Sequence, residues 1–147
     1  MSRYRHIGFA LASLLTLSVA FAGPAFAGGA KFSTALTGAA EVPGPGDPDG
    51  SGTAAITLNV GQSEVCFGIV VSGITLPAIG AHIHAAPVGS PGPVVVALTP
   101  PDGNGVSSGC VTVDRELVKQ ILKSPEQYYV NVHTSDYPGG ALRGQLG

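Results

Sequence analysis

Ala54-Ala55-Ile56-Thr57-Leu58-Asn59-Val60 decides the class of the fold. In an extended chain Ala54, Ile56, Leu58 and Val60 fall on one side and Ala55, Thr57 and Asn59 on the other, the period of two that a half-buried β-strand requires. Working outward, Val65, Phe67, Ile69 and Val71 repeat the stripe. Residues 81–85, the apolar run 94–98, and residues 106–113 and 128–133 read as further strands, bounded by turn-forming residues. Residues 31–37 and 141–146 flank the set and bring the count to eight. Gly (22 residues) and Pro (12 residues) punctuate the chain so often that no apolar-periodic stretch reaches helical length before Asp114. An all-β fold follows, and eight short strands at nearly regular spacing predict a Greek-key sandwich.

One helix is expected, over residues 114–123. Asp114 is suited to cap it, Glu116 and Lys123 match the two ends of the helix dipole, and Pro125 stops it. Leu117, Val118, Ile121 and Leu122 share one face, so the element reads as a short crossover helix packed on the sheet. Residues 38–52 and 86–93, rich in Gly and Pro, read as loops.

The first 27 residues stand apart from this pattern. Arg3 and Arg5 precede an apolar run from Ile7 to Ala22, and Ala25-Phe26-Ala27 supplies small residues at both cleavage-determining positions. Residues 1–27 therefore read as a signal peptide cleaved after Ala27, and the product as secreted or periplasmic. The apolar run is broken by Gly23 and Pro24 and lacks a charged stop-transfer flank, so no membrane span is expected after cleavage. The remaining 120 residues suffice for one domain, 28–147. They carry five Lys and Arg against nine Asp and Glu, an acidic balance that argues against nucleic acid and anionic membranes as partners. Cys66 and Cys110 are the only cysteines, and in an exported chain the expectation is a disulfide; a metal-binding pair would lack the usual CxxC spacing.

Four separated segments carry a resemblance to a known family. They are Leu36-Thr37-Gly38-Ala39-Ala40-Glu41-Val42-Pro43 with Gly50-Ser51-Gly52-Thr53-Ala54; Ala81-His82-Ile83-His84; Gly92-Pro93-Val94-Val95-Val96-Ala97-Leu98; and Tyr129-Val130-Asn131-Val132-His133-Thr134 with Pro138-Gly139-Gly140-Ala141-Leu142-Arg143-Gly144-Gln145-Leu146. In order and spacing they resemble the CHRD (chordin-type) domains. Ala85 and Ala141 depart from residues common in that family, leaving the His and Arg positions intact. The resemblance implies an immunoglobulin-like β-sandwich in secreted proteins, mostly without an assigned activity.

Beyond the leader only His82, His84 and His133 remain, all inside these segments. His82 and His84 are two apart, so on a strand both imidazoles point to the same face, roughly 7 Å apart. His133 shares its strand face with Asn131 and Tyr129, and if its strand neighbours that of His82 three imidazoles meet, a set suited to copper or zinc. The order of the His-x-His strand, the later Val-x-Val-His strand and Gly-Gly-Ala-Leu-Arg-Gly is also similar to the copper-zinc superoxide dismutases. That resemblance implies copper ligands at His82, His84 and His133 and an anion-guiding Arg143, but nothing here matches a bridging histidine or zinc loop, so any such site is copper-only. The competing expectation is a hydrogen-bond cluster that pins the strands, with Asn131 and Thr134 as partners. A surface ion pair of Arg143 with Asp136 or Glu41 is a further alternative. Asp47-Pro48-Asp49-Gly50-Ser51-Gly52 opens like a calcium loop, but Leu58 stands at the twelfth position. No hydrolase elbow or phosphate-cradling loop is present and no catalytic residue is assigned. Two functions stay open: a non-enzymatic extracellular or periplasmic module meeting a protein or glycan partner through loops 38–52 and 86–93, and a copper-binding protein with superoxide dismutase-like chemistry as its furthest extension.

Overall fold

The computed structural model describes residues 28–147; the leader expected over 1–27 lies outside the described residues. Eight strands form, β1 (Ala30–Thr37), β2 (Ser51–Asn59), β3 (Glu64–Ser72), β4 (Gly80–Ala85), β5 (Val94–Leu98), β6 (Val106–Thr112), β7 (Tyr128–His133) and β8 (Leu142–Gln145), with one helix, α1 (Arg115–Lys123), between β6 and β7. The all-β class holds; seven strands fall within one residue of their expected bounds, while β2 begins at Ser51, three residues early, and takes residues 51–52 from the loop expected over 38–52.

Where the sequence predicts a sandwich, hydrogen bonding joins all eight strands into one antiparallel sheet in the order β5-β4-β7-β8-β1-β2-β3-β6. One half, β1-β2-β3-β6, is built of long hairpin registers such as Ile56 opposite Phe67 and Phe32. The other half, β5-β4-β7-β8, joins it through a single registered pair, Thr37 with Arg143. The edge strands β5 and β6 approach each other, so the sheet is rolled nearly shut around one core.

That core follows from the period of two. Ala54, Ile56, Val65, Ile69, Ala81, Ile83, Val130, Val132 and Leu142, drawn from both halves, are all fully buried in one cluster. Helix α1 lies against β2 and β3 and buries Val118 and Ile121 completely, each worth on the order of 2 kcal/mol of apolar burial. Asp114 caps it by accepting the Glu116 backbone N–H at 2.6 Å. Of the four residues assigned to its apolar face, Leu122 is left exposed, because at 100° per residue it lies at the flank of the stripe that Val118 and Ile121 centre.

The Sγ atoms of Cys66 and Cys110 lie 2.09 Å apart, the disulfide expected from sequence. The two residues face each other directly across β3 and β6, so the bond ties the edge strand β6 to the body of the sheet. Among the described residues no helix is long and apolar enough to cross a membrane.

Candidate functional site: three imidazoles on the outer face of β4 and β7

The inward residues of β4, β7 and β8 are apolar, so alternation turns every second residue outward. Rows then form across the strands: His84 opposite Tyr129 opposite Gln145, His82 opposite Asn131 opposite Arg143, and Gly80 opposite His133. Gly80 has no side chain, and the rings of His82 and His133 close over it. A Cβ at that position would stand 3.3 Å from Cε1 of His82 and 3.4 Å from Cδ2 of His133. The edge strand β5 carries a register shift beside His84, a bulge of the kind that re-aims side chains next to sites.

All three expected ligands therefore come together. Ring centroids are 5.0 Å apart for His82 and His133, 5.6 Å for His82 and His84, and 6.3 Å for His84 and His133. One ring nitrogen from each lies within 4.8 Å of the other two.

Backbone carbonyls set the tautomers, since a carbonyl only accepts. His133 donates from Nδ1 to the Pro138 carbonyl at 3.0 Å, which leaves its Nε2 bare. His82 Nδ1 lies 3.1 Å from that nitrogen and so donates to it. His84 donates from Nδ1 to the Gly92 carbonyl at 2.9 Å, and its bare Nε2 is buried with no hydrogen-bond partner. Burial holds both His82 and His133 below the ordinary histidine pKa, and the neighbouring imidazoles add to this by disfavouring further positive charge. Two imidazoles joined by one proton, beside a third whose Nε2 has no partner, are donors of the type that copper and zinc take, once the shared proton leaves or moves.

Asn131 and Thr134, expected to satisfy the histidines, are engaged elsewhere. Asn131 donates to a Glu41 carboxylate oxygen at 2.6 Å, and the Thr134 hydroxyl accepts from the Tyr137 N–H at 3.1 Å. The histidines instead use each other and loop carbonyls that no side-chain pattern marks. Glu41 is 7% exposed, and its pKa is pushed up to about 7 by burial, against the partial opposition of the Arg143 charge and the Asn131 hydrogen bond. Gly140 has φ 147, and a side chain there would meet the Glu41 carboxylate and the Asn131 amide, which explains the glycine in this crowded corner.

Arg143, to which the resemblance gives an anion-guiding role, is 2% exposed. Its donors go to the carbonyls of Ser90 at 2.9 Å and Pro87 at 3.0 Å, because the loop after β4 folds over the outward face of β8. It makes no ion pair with Asp136 or Glu41; among the described residues the one salt bridge joins Lys119 and Glu116 at the surface of α1. A second group with ligand-type spacing, Glu64 with Cys66 and Cys110, has its thiols consumed by the disulfide.

The contribution of Tyr129 was not legible as chemistry in the sequence. Its ring stacks on His84 at 4.7 Å with an interplanar angle of 8°, and the Arg143 guanidinium covers the opposite face at 3.5 Å. Cross-strand register alone would have revealed the first of these contacts.

Comparison with the curated proteins and with solved structures gives no match. A CHRD domain profile matches residues 32–146, nearly the whole described chain, including all three histidines and both strands that carry them. The chain thus belongs to the CHRD domain family.

Proposed function

We propose that this chain is an exported, non-enzymatic CHRD module that holds a copper or zinc ion on its polar sheet face through His82, His84 and His133. The observation that carries the reading is the bare Nε2 of His84, buried without a partner inside a cluster of neutral imidazoles. An orphaned buried acceptor costs about 1–3 kcal/mol, and a metal bond removes that cost. His82 would give up its proton on Nδ1 or move it to Nε2, and His133 already presents a bare nitrogen. Residues 1–27 act as the export signal in this reading, and the disulfide suits an oxidising compartment. Loops 38–52 and 86–93, which lie over the same face, are the surface for a protein or glycan partner; Val88 at the tip of the second is 78% exposed.

The test is calorimetric titration of Cu(II) and of Zn(II) into the mature chain and into His82→Ala, His84→Ala and His133→Ala. The expected result is a Kd tighter than about 10 μM that weakens at least tenfold in each variant. Weaker binding in the parent, or binding that survives both His82→Ala and His133→Ala, overturns the metal reading. Superoxide dismutation by the copper-loaded chain would overturn the non-enzymatic one.

A further inference from the structure

We infer that Tyr129 is a positioning residue that fixes the ring of His84 and keeps its Nε2 bare and aimed into the histidine cluster. The inference rests on the metal reading for its purpose but on the structure around His84 for its argument. On a strand, a histidine ring rotates about its terminal torsion over a broad, shallow energy surface, so something else must choose its plane and tautomer. Two contacts do so here. The Tyr129 ring lies parallel to that of His84, 8° from coplanar, and fixes the plane. The Gly92 carbonyl accepts from Nδ1 and fixes the tautomer.

Tyr129 also reaches the residue that makes the second contact, an auxiliary bond beside the stacking. Its hydroxyl accepts the Gly92 backbone N–H at 3.3 Å, so the residue whose carbonyl meets His84 also touches the ring that stacks on it. Gly92 must approach closely for this, since a Cβ there would run into the Ala85 carbonyl. Tyr129 is in turn clamped from behind by Arg143, whose guanidinium sits over its other face and ties down the same loop at Pro87 and Ser90. Arg143, Tyr129 and His84 thus form one stacked column, 2%, 4% and 9% exposed respectively. Losing a partner that orients a metal-ligating histidine typically weakens metal affinity 10- to 100-fold.

The experiment has two arms on the mature chain. In the metal-free arm, nitrogen NMR of the imidazoles reads the tautomer of His84: the wild type shows Nδ1–H alone, Tyr129→Phe keeps it, and Tyr129→Leu gives a mixture. In the metal arm, Cu(II) affinity falls about 10- to 100-fold in Tyr129→Leu and by no more than about threefold in Tyr129→Phe. Tyr129→Leu in a His84→Ala background has no further effect, as expected if Tyr129 acts only through His84. Should Tyr129→Leu not fold, Tyr129→Met keeps most of the volume without the flat ring and is expected to behave alike. A wild type with mixed His84 tautomers, an unchanged tautomer in the Leu and Met variants, or an undiminished effect in the His84→Ala background each overturns the inference. Failure of the wild type to bind Cu(II) overturns the metal reading instead, and the NMR arm still decides the role of Tyr129.

Discussion

Replacing Glu41 by Gln is expected to stabilise the protein at alkaline pH and leave it nearly unchanged in acid. The Glu41 carboxyl has a pKa of about 7 in the folded protein against an ordinary 4.5. Between those values the folded chain binds more protons than the unfolded one, so unfolding free energy falls as pH rises. Stability from this group is fully present below about 4.5 and is lost as pH climbs through 7. Each pKa unit corresponds to about 1.4 kcal/mol, giving an upper figure of about 3.4 kcal/mol; the residual 7% exposure lets solvent screen the charge, and about 2 kcal/mol is the working value. Glutamine keeps the acceptor for the Asn131 amide, now 2.6 Å from the carboxylate, without a charge to desolvate. Urea denaturation of the parent and Glu41→Gln at pH 4.5 and pH 8 measures the difference, with other titrating groups cancelling between the two chains. The variant should gain about 2 kcal/mol at pH 8 and less than about 0.5 kcal/mol at pH 4.5, with equal m-values. An equal effect at both pH values, or a loss of stability at pH 8, would show that the buried carboxyl is not the source of the pH dependence.

Reducing the Cys66–Cys110 bond, or replacing both residues by Ala, releases a loop with a sequence separation of 44 and should cost about 2–4 kcal/mol by chain entropy. A urea midpoint shifted by an equivalent of under about 1 kcal/mol would refute that contribution. Metal affinity should be nearly flat from pH 8 down to neutrality and should fall only in the acid range, because His82 and His133 have pKa values below the ordinary 6.5 and protons compete for them late. An affinity that already drops between pH 8 and 7, followed by calorimetry in matched buffers, would contradict neutral ligands.

The sequence by itself determined the strands, because alternation is a local property. Ile56 and Leu58 declare their inward face without reference to any other segment, and Asp114 and Pro125 bound the helix through nearest neighbours. It also placed His82 and His84 on one face, since a period of two requires it. Export chemistry made the disulfide an expectation, and the register of β3 with β6 then brought Cys66 opposite Cys110. What the tertiary structure decided is non-local. That β7 lies beside β4, bringing His133 to the pair, and that β8 meets β1, turning two layers into one sheet, depend on hydrogen bonds between segments far apart in the chain. The histidine tautomers depend on the carbonyls of Gly92 and Pro138, groups every residue carries and no side-chain pattern singles out. Asn131 finds Glu41 across 90 residues, and Arg143 is drawn from solvent to the loop at Pro87 and Ser90 because that loop folds over its strand. Local periodicity says which way a side chain points; only the closed fold says what it meets there.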